Sequence, residues 1–144
     1  MHRRIALLLP ASTLGVLLGC PLRTEPIVCT LEARPSISVF VRDSVSDQLI
    51  ASGTTLILTD GAFVDSTTVP AADPTWDPYP VTTDQTYERP GRYHVTVRRA
   101  GYEVWVRPNV VVVRDECHVR TVTLTARLVP SPAALRAAPL PALP

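Results

Sequence analysis

The segment "PGRYHVTVRRAGYEVW", Pro90–Trp105, decides how this chain folds. Residues Arg92–Arg98, "RYHVTVR", alternate apolar and polar side chains, the period of a strand with one wet face. Ala100-Gly101-Tyr102 supplies a turn, and "EVWVR" resumes the strand pattern. A β-hairpin is expected, with Tyr93, Val95 and Val97 inward and Tyr102, Val104 and Val106 paired with them across the turn. The outward set is then Arg92, His94, Thr96 and Arg98 beside Glu103, Trp105 and Arg107. Apart from Thr96, that set holds no nucleophile next to a base, so it does not read as catalytic. Cross-strand Arg–Glu pairing and Arg stacking on Trp105 account for it. Trp and Arg also anchor interfaces, which makes Arg98, Trp105 and Arg107 candidate binding residues.

Working outward, the same period recurs. In "SISVFVR" (Ser36–Arg42), Ile37, Val39 and Val41 share a face and Phe40 breaks the pattern. "TTLILTDGAFVDS" (Thr54–Ser66) places two apolar, β-branched runs around Asp60-Gly61, which predicts a hairpin turning on those two residues. "VVVV" (Val110–Val113) and "HVRTVTLTARL" (His118–Leu128) supply the last strands, with Val122, Leu124, Ala126 and Leu128 on one face. Short strands between turn signals predict an all-β, antiparallel Greek-key sandwich of about seven strands. Residues 35–129 form its body.

Two segments depart from the pattern. Ser66–Pro90 is rich in Pro and Asp and too long to be structureless in a small domain, so a further strand is expected near "VTTDQTYE". Its aromatics, Trp76 and Tyr79, are candidate binding residues that either stack on a ligand or fold back over the sandwich edge. Asp73 and Asp77 lie close by, but their spacing does not match a calcium loop. His94 and His118 fall on different strands, so no metal site is expected. The stretch 130–144 is Pro and Ala with little to bury and is expected to be disordered.

The hairpin "PGRYHVTVRRAGY" resembles the "PGxYxVxVxxxGY" signature of carboxypeptidase regulatory-like domains, small prealbumin-like sandwiches. Gly91, Tyr93, Val95, Val97, Gly101 and Tyr102 occupy the matching positions, and the resemblance extends over Pro35–Leu128. It implies an accessory or binding domain, because the catalytic domain of the namesake enzymes is separate. Neither His94, followed by Val95-Thr96-Val97, nor His118, followed by Val119-Arg120-Thr121, begins a His-x-x-Glu zinc motif. A related prealbumin-like group that hydrolyses a urate derivative ends in Tyr-Arg-Gly-Ser; residues 141–144 here are Pro-Ala-Leu-Pro. Neither activity is expected.

At the N-terminus, His2, Arg3 and Arg4 precede the uncharged run "IALLLPASTLGVLL" (Ile5–Leu18). As a helix this run spans about 21 Å, short of the roughly 30 Å of a bilayer core, and Pro10 interrupts it. A signal peptide over 1–19 is expected. Its end, Leu17-Leu18-Gly19-Cys20, resembles the lipobox of bacterial lipoproteins, in which the Cys is lipidated before cleavage. That resemblance implies acyl chains on Cys20, anchorage to the cell membrane and a tether over 20–34. Pro21, in place of the Asp associated with inner-membrane retention in some Gram-negative bacteria, favours the outer membrane if the cell is Gram-negative.

The remaining cysteines, Cys29 and Cys117, make an even pair in an exported chain, which suggests one disulfide. Two buried thiols are the alternative. A disulfide closing a loop of that length would contribute about 4–5 kcal/mol in the chain-entropy picture. The formal charge of +1, carried by 14 Arg and no Lys against 13 acidic residues, gives no electrostatic case for nucleic acid. It also leaves no Lys for Schiff-base chemistry. The function expected is a non-catalytic, lipid-anchored binding or envelope-assembly module of the bacterial cell surface, using no cofactor and contacting an envelope protein or a glycan. A carbohydrate-binding module using exposed Trp or Tyr is the first alternative. A small hydrolase built on His94 or His118 beside a carboxylate is the second.

Overall fold

A computed structural model describes residues 26–137. Six strands build it: β1 (Ile37–Asp43), β2 (Thr54–Asp60), β3 (Phe63–Thr68), β4 (Gly91–Arg99), β5 (Trp105–Val112) and β6 (Val122–Leu128). They form a four-stranded sheet of order β3-β2-β4-β5 and a two-stranded sheet, β1-β6. The apolar parity of each strand meets in one core between the sheets. Leu56 and Leu58, then Tyr93, Val95 and Val97, pack with Ile37, Val39, Val41, Ala126 and Leu128, all inaccessible to solvent. Each Val, Leu or Ile among them contributes about 1.5–3 kcal/mol of burial free energy, which is what fixes the strand register.

The sandwich has one pairing that alternation alone does not predict. β1 and β6 run parallel, with Ile37 opposite Val122 and Asp43 opposite Leu128. A parallel pair needs a long crossover, and here the whole four-stranded sheet intervenes between the two strands. The β2–β3 turn is also displaced by one residue from the expected Asp60-Gly61. Asp60 pairs with Phe63, so Gly61 and Ala62 form the loop, with Gly61 at φ +59°. Glycine at the first central position is the pattern of a primed hairpin turn.

The β4–β5 hairpin carries a bulge that corrects the expected facing of its second strand. Val97 pairs with Trp105 and Val95 with Arg107, but Tyr93 pairs with Val110. Pro108 and Asn109 are accommodated opposite His94, with Asn109 at φ +58°. Proline has no N–H to give the ladder, and an extra residue shifts every following side chain to the other face. Trp105 therefore lies on the core side and Val104 and Val106 are exposed, while beyond the bulge Val110 and Val112 are buried. The bulge also joins "EVWVR" and "VVVV" into one strand, which brings the count to six.

Residues 69–90 run along the outer edge of β1 without forming the expected strand. Val39 and Val81 exchange backbone hydrogen bonds of 3.0 and 2.8 Å, and Pro35 bridges Tyr87. Between them a 3-10 turn, Asp84–Thr86, interrupts the ladder. Side chains take over the donors and acceptors there: Asp65 accepts from Gln85 N at 2.8 Å, and the Thr83 and Thr86 hydroxyls meet at 2.9 Å in the interior. The stretch after β6, expected to be disordered, is ordered at its start. Gly101 O accepts from Ser131 N at 2.8 Å, and a short helix, α1, spans Pro132–Ala137.

Candidate functional site

The hairpin signature is consumed by the fold. A Cβ on Gly91 would lie 2.5 Å from Asp60 Oδ2 and 3.1 Å from Arg89 Nη1, so a side chain there would displace the Arg89–Asp60 pair. Tyr93 is fully buried and donates to Arg89 O at 2.8 Å, while Arg89 donates to Asp60 Oδ2 at 2.9 Å and lies 3.9 Å above the Phe63 ring. The Tyr93 hydroxyl and Asp60 raise the Arg89 pKa. Gly101 adopts φ +81° at the turn. Tyr102 donates to Asp43 Oδ2 at 2.8 Å, and burial, then Asp43, pushes its phenol up. Asp43 also accepts from Ser46 N and Val45 N, and these bonds hold its carboxyl below the usual range. The cation–π contacts found place Arg89 on Phe63 and Tyr93, and Arg99 on Tyr102. They serve the positions where the hairpin joins its neighbours.

A second cluster fastens residues 29–34 to the β5–β6 loop. Cys29 and Cys117 form a disulfide with Cα atoms 5.3 Å apart. Beside it, His118 Nδ1 donates to Glu88 Oε1 at 2.8 Å, and His118 Nε2 lies 3.0 Å from Thr30 Oγ1. Hydroxyl, imidazole and carboxylate thus stand in the order of a nucleophile, base and orienting acid. The rest of the wiring gives the cluster a different task. Glu88 also accepts from Arg34 N at 2.8 Å and from Val119 N at 3.1 Å, bridging two backbone segments. The Arg34 N–H is the main cause that holds its carboxyl below the usual range, with His118 and Val119 N adding to it against partial burial. Asp115 is held low in the same way by His118 N and Cys117 N. Thr30 lines neither of the two grooves described below. We read the cluster as a brace.

The third arrangement is a groove of about 310 Å³ beside residues 69–84. Ala51, Val69 and Val81, all buried, form its floor. Trp76 and Tyr79 line it and are 50% and 60% exposed, so they do not fold back over the sandwich edge. Their backbone is held tightly. Pro74–Trp76 is a 3-10 turn whose first N–H groups are capped by Asp73, which accepts from Thr75 N at 3.1 Å and from the Thr75 hydroxyl. Those bonds, the hydroxyl first, lower the Asp73 pKa. Asp77 accepts from Ser52 N at 2.7 Å, and the Ser52 hydroxyl donates to Asp73 O at 2.8 Å. Asp73 and Asp77 thus spend oxygens on the loop itself. At its base Gly53 N donates to Val69 O at 3.1 Å, and a φ of +73° lets Gly53 pass close to Ala71.

The candidate residues therefore separate. Trp76 and Tyr79 come together in one groove. Arg98 is exposed on the outer face of β4, opposite Thr55 of β2. Trp105 is half-buried against the core, and Arg107 lines a different groove of about 330 Å³ between β5 and β6. The expected ladder of Arg98, Trp105 and Arg107 on one face does not form, because the bulge puts Trp105 and Arg107 on the other parity. Cys20 lies outside the described residues. Sequence reasoning missed Glu88 and Thr30 as partners of His118, since no local spacing connects them, and missed Asp84 and the threonines that line the aromatic groove. No family model and no curated protein matches the chain.

Proposed function

We propose that this protein is a non-catalytic, lipid-anchored binding module of the bacterial envelope whose contact surface is the Trp76–Tyr79 groove. One observation carries this reading: two exposed aromatic rings line one groove on a loop whose backbone is fixed by Asp73, Asp77 and Ser52. Large rings left in water on a rigid mount are what a recognition site requires. The Leu17-Leu18-Gly19-Cys20 lipobox supports anchorage through Cys20, with several acyl chains giving firm attachment. The brace at Cys29–Cys117 fixes where the tether joins the body. The carboxypeptidase regulatory-like signature over Gly91–Tyr102 supports an accessory rather than a catalytic role.

The test is in-cell cross-linking of the tagged full chain, read by mass spectrometry, with labelling by radioactive palmitate alongside. Palmitate should enter the wild type and not Cys20→Ala, and the cross-linked species should disappear in Trp76→Ala. Label retained by Cys20→Ala would sink the anchor. A cross-linking pattern identical in wild type and Trp76→Ala would remove the groove as the contact surface.

A further inference from the structure

We infer that the Trp76–Tyr79 groove binds an oligosaccharide of neutral or N-acetylated pyranose rings, an inference that rests on the groove being the contact surface. Three features of the lining select this class. The first is shape and size. A groove of about 310 Å³ lies at the small end of the roughly 300–1,000 Å³ typical of small-ligand sites. A protein partner ordinarily covers about 800 Å² per side around an apolar centre, whereas this floor is the three small side chains Ala51, Val69 and Val81.

The second feature is the pairing of ring faces with hydroxyls. A pyranose presents a C–H face that packs on an aromatic ring and an equatorial rim of hydroxyls that need partners. Trp76 and Tyr79 supply the rings, and Thr67, Thr82 and Asp84 stand in the same lining with oxygen donors and acceptors. An aliphatic peptide would leave those oxygens unmatched, which costs binding free energy.

The third feature is charge. Of the described residues lining the groove, only Asp84 is charged, and no Arg is among them in a chain with fourteen Arg and no Lys. A uronate or phosphorylated sugar would meet a like charge without a compensating cation. Neutral and N-acetylated rings meet no such barrier, and an acetamide N–H has Asp84 as a ready acceptor.

The test is calorimetric titration of the full mature chain in detergent with chitohexaose, cellohexaose and an alginate hexamer. At least one neutral hexamer should bind, alginate should not, and Trp76→Ala should raise Kd by about tenfold or more. Trp76→Phe, which keeps a ring, should restore most of the affinity. Thermal unfolding of each variant at the wild-type temperature ensures that lost binding is not lost fold. Absence of heat with both neutral hexamers at millimolar concentration, binding unchanged by Trp76→Ala, or equal binding of alginate would each overturn the inference. A protein cross-link that needs Trp76, with no sugar bound, would leave the contact surface standing and remove only the glycan. Loss of both would remove both.

Discussion

The connection between β3 and β4 has two halves that use their hydrogen bonds alike and their side chains differently. From Val81 to Glu88, Asp84, Gln85 and Tyr87 are exposed, but the contacts that order the segment are made with the body of the fold: Val81 onto Val39, Thr86 onto Ser36, Glu88 onto Arg34, His118 and Val119. From Pro70 to Pro80 the backbone is held as firmly, yet Trp76 and Tyr79 stay in water. Rings left 50% and 60% exposed each forgo about half of the roughly 1.5–3 kcal/mol that full burial of a large apolar side chain contributes. In the first half, order serves the fold. In the second, order holds rings that the fold does not use, and that surplus is what marks the groove.

The contrast can be broken in four places. The largest effect is expected from Cys29→Ser combined with Cys117→Ser, which removes the covalent part of the brace and should cost about 4–5 kcal/mol of unfolding free energy, read from urea midpoints. Below the midpoint, groove binding should be unaltered, since the disulfide touches no residue of its lining. Next is Asp77→Ala, which strips the buried Ser52 N–H of its acceptor. A loss of about 1–3 kcal/mol is expected, together with several-fold weaker binding at Trp76, because here stability and function share a bond. If binding survives at full strength, the loop's rigidity is not what serves the rings.

The third effect depends on pH. Glu88 has a folded-state pKa depressed below its ordinary 4.5, so its contribution is complete above that value and disappears as pH falls through the folded one. Thermal unfolding temperature should therefore drop as the medium is acidified below 4.5, and Glu88→Gln should show a shallower drop from a lower neutral starting point. Asp43 and Asp115 shift in the same direction and keep the slope from vanishing. A wild type and a Glu88→Gln variant with superimposable pH profiles would contradict the role assigned to the brace. The smallest effect belongs to Trp76→Ala, expected within about 0.5 kcal/mol of wild type. A larger loss would mean that the ring supports the fold after all.

How far the sequence discloses this structure follows from the range of each interaction. Strand parity is local, and Tyr93, Val95, Val97 and the β6 residues Ala126 and Leu128 face the core as their alternation implies. Parity fails at β5 because Pro108 and Asn109 insert a bulge, and nothing in "WVRPNVVV" tells which side of the proline keeps register. The parallel pairing of β1 with β6 is invisible to alternation, which specifies faces and not neighbours. The connection over residues 69–90 reads as too long for a loop, but the turn that diverts it from a strand combines a local Thr83–Thr86 hydroxyl contact with the Asp65 carboxylate, which reaches Gln85 N from β3, twenty residues away. Trp76 and Tyr79 are legible as candidates by type. Their exposure depends on Ser52 holding Asp77 and Asp73, a contact between segments far apart in the chain.

The pairing of β1 with β6 also constrains when the domain can close. The first strand cannot complete its sheet until the last has been made and delivered, so the four-stranded sheet must stand with one face bare in the meantime. Such non-local closure is slow, because chain entropy is lost before contacts compensate it. Cys29 and Cys117 sit just ahead of these two strands. Once oxidised, they make the ends neighbours through sulfur, and the slowest encounter in folding becomes a short-range one. The reduced chain is therefore expected to refold more slowly than the oxidised chain, as well as to a less stable end state.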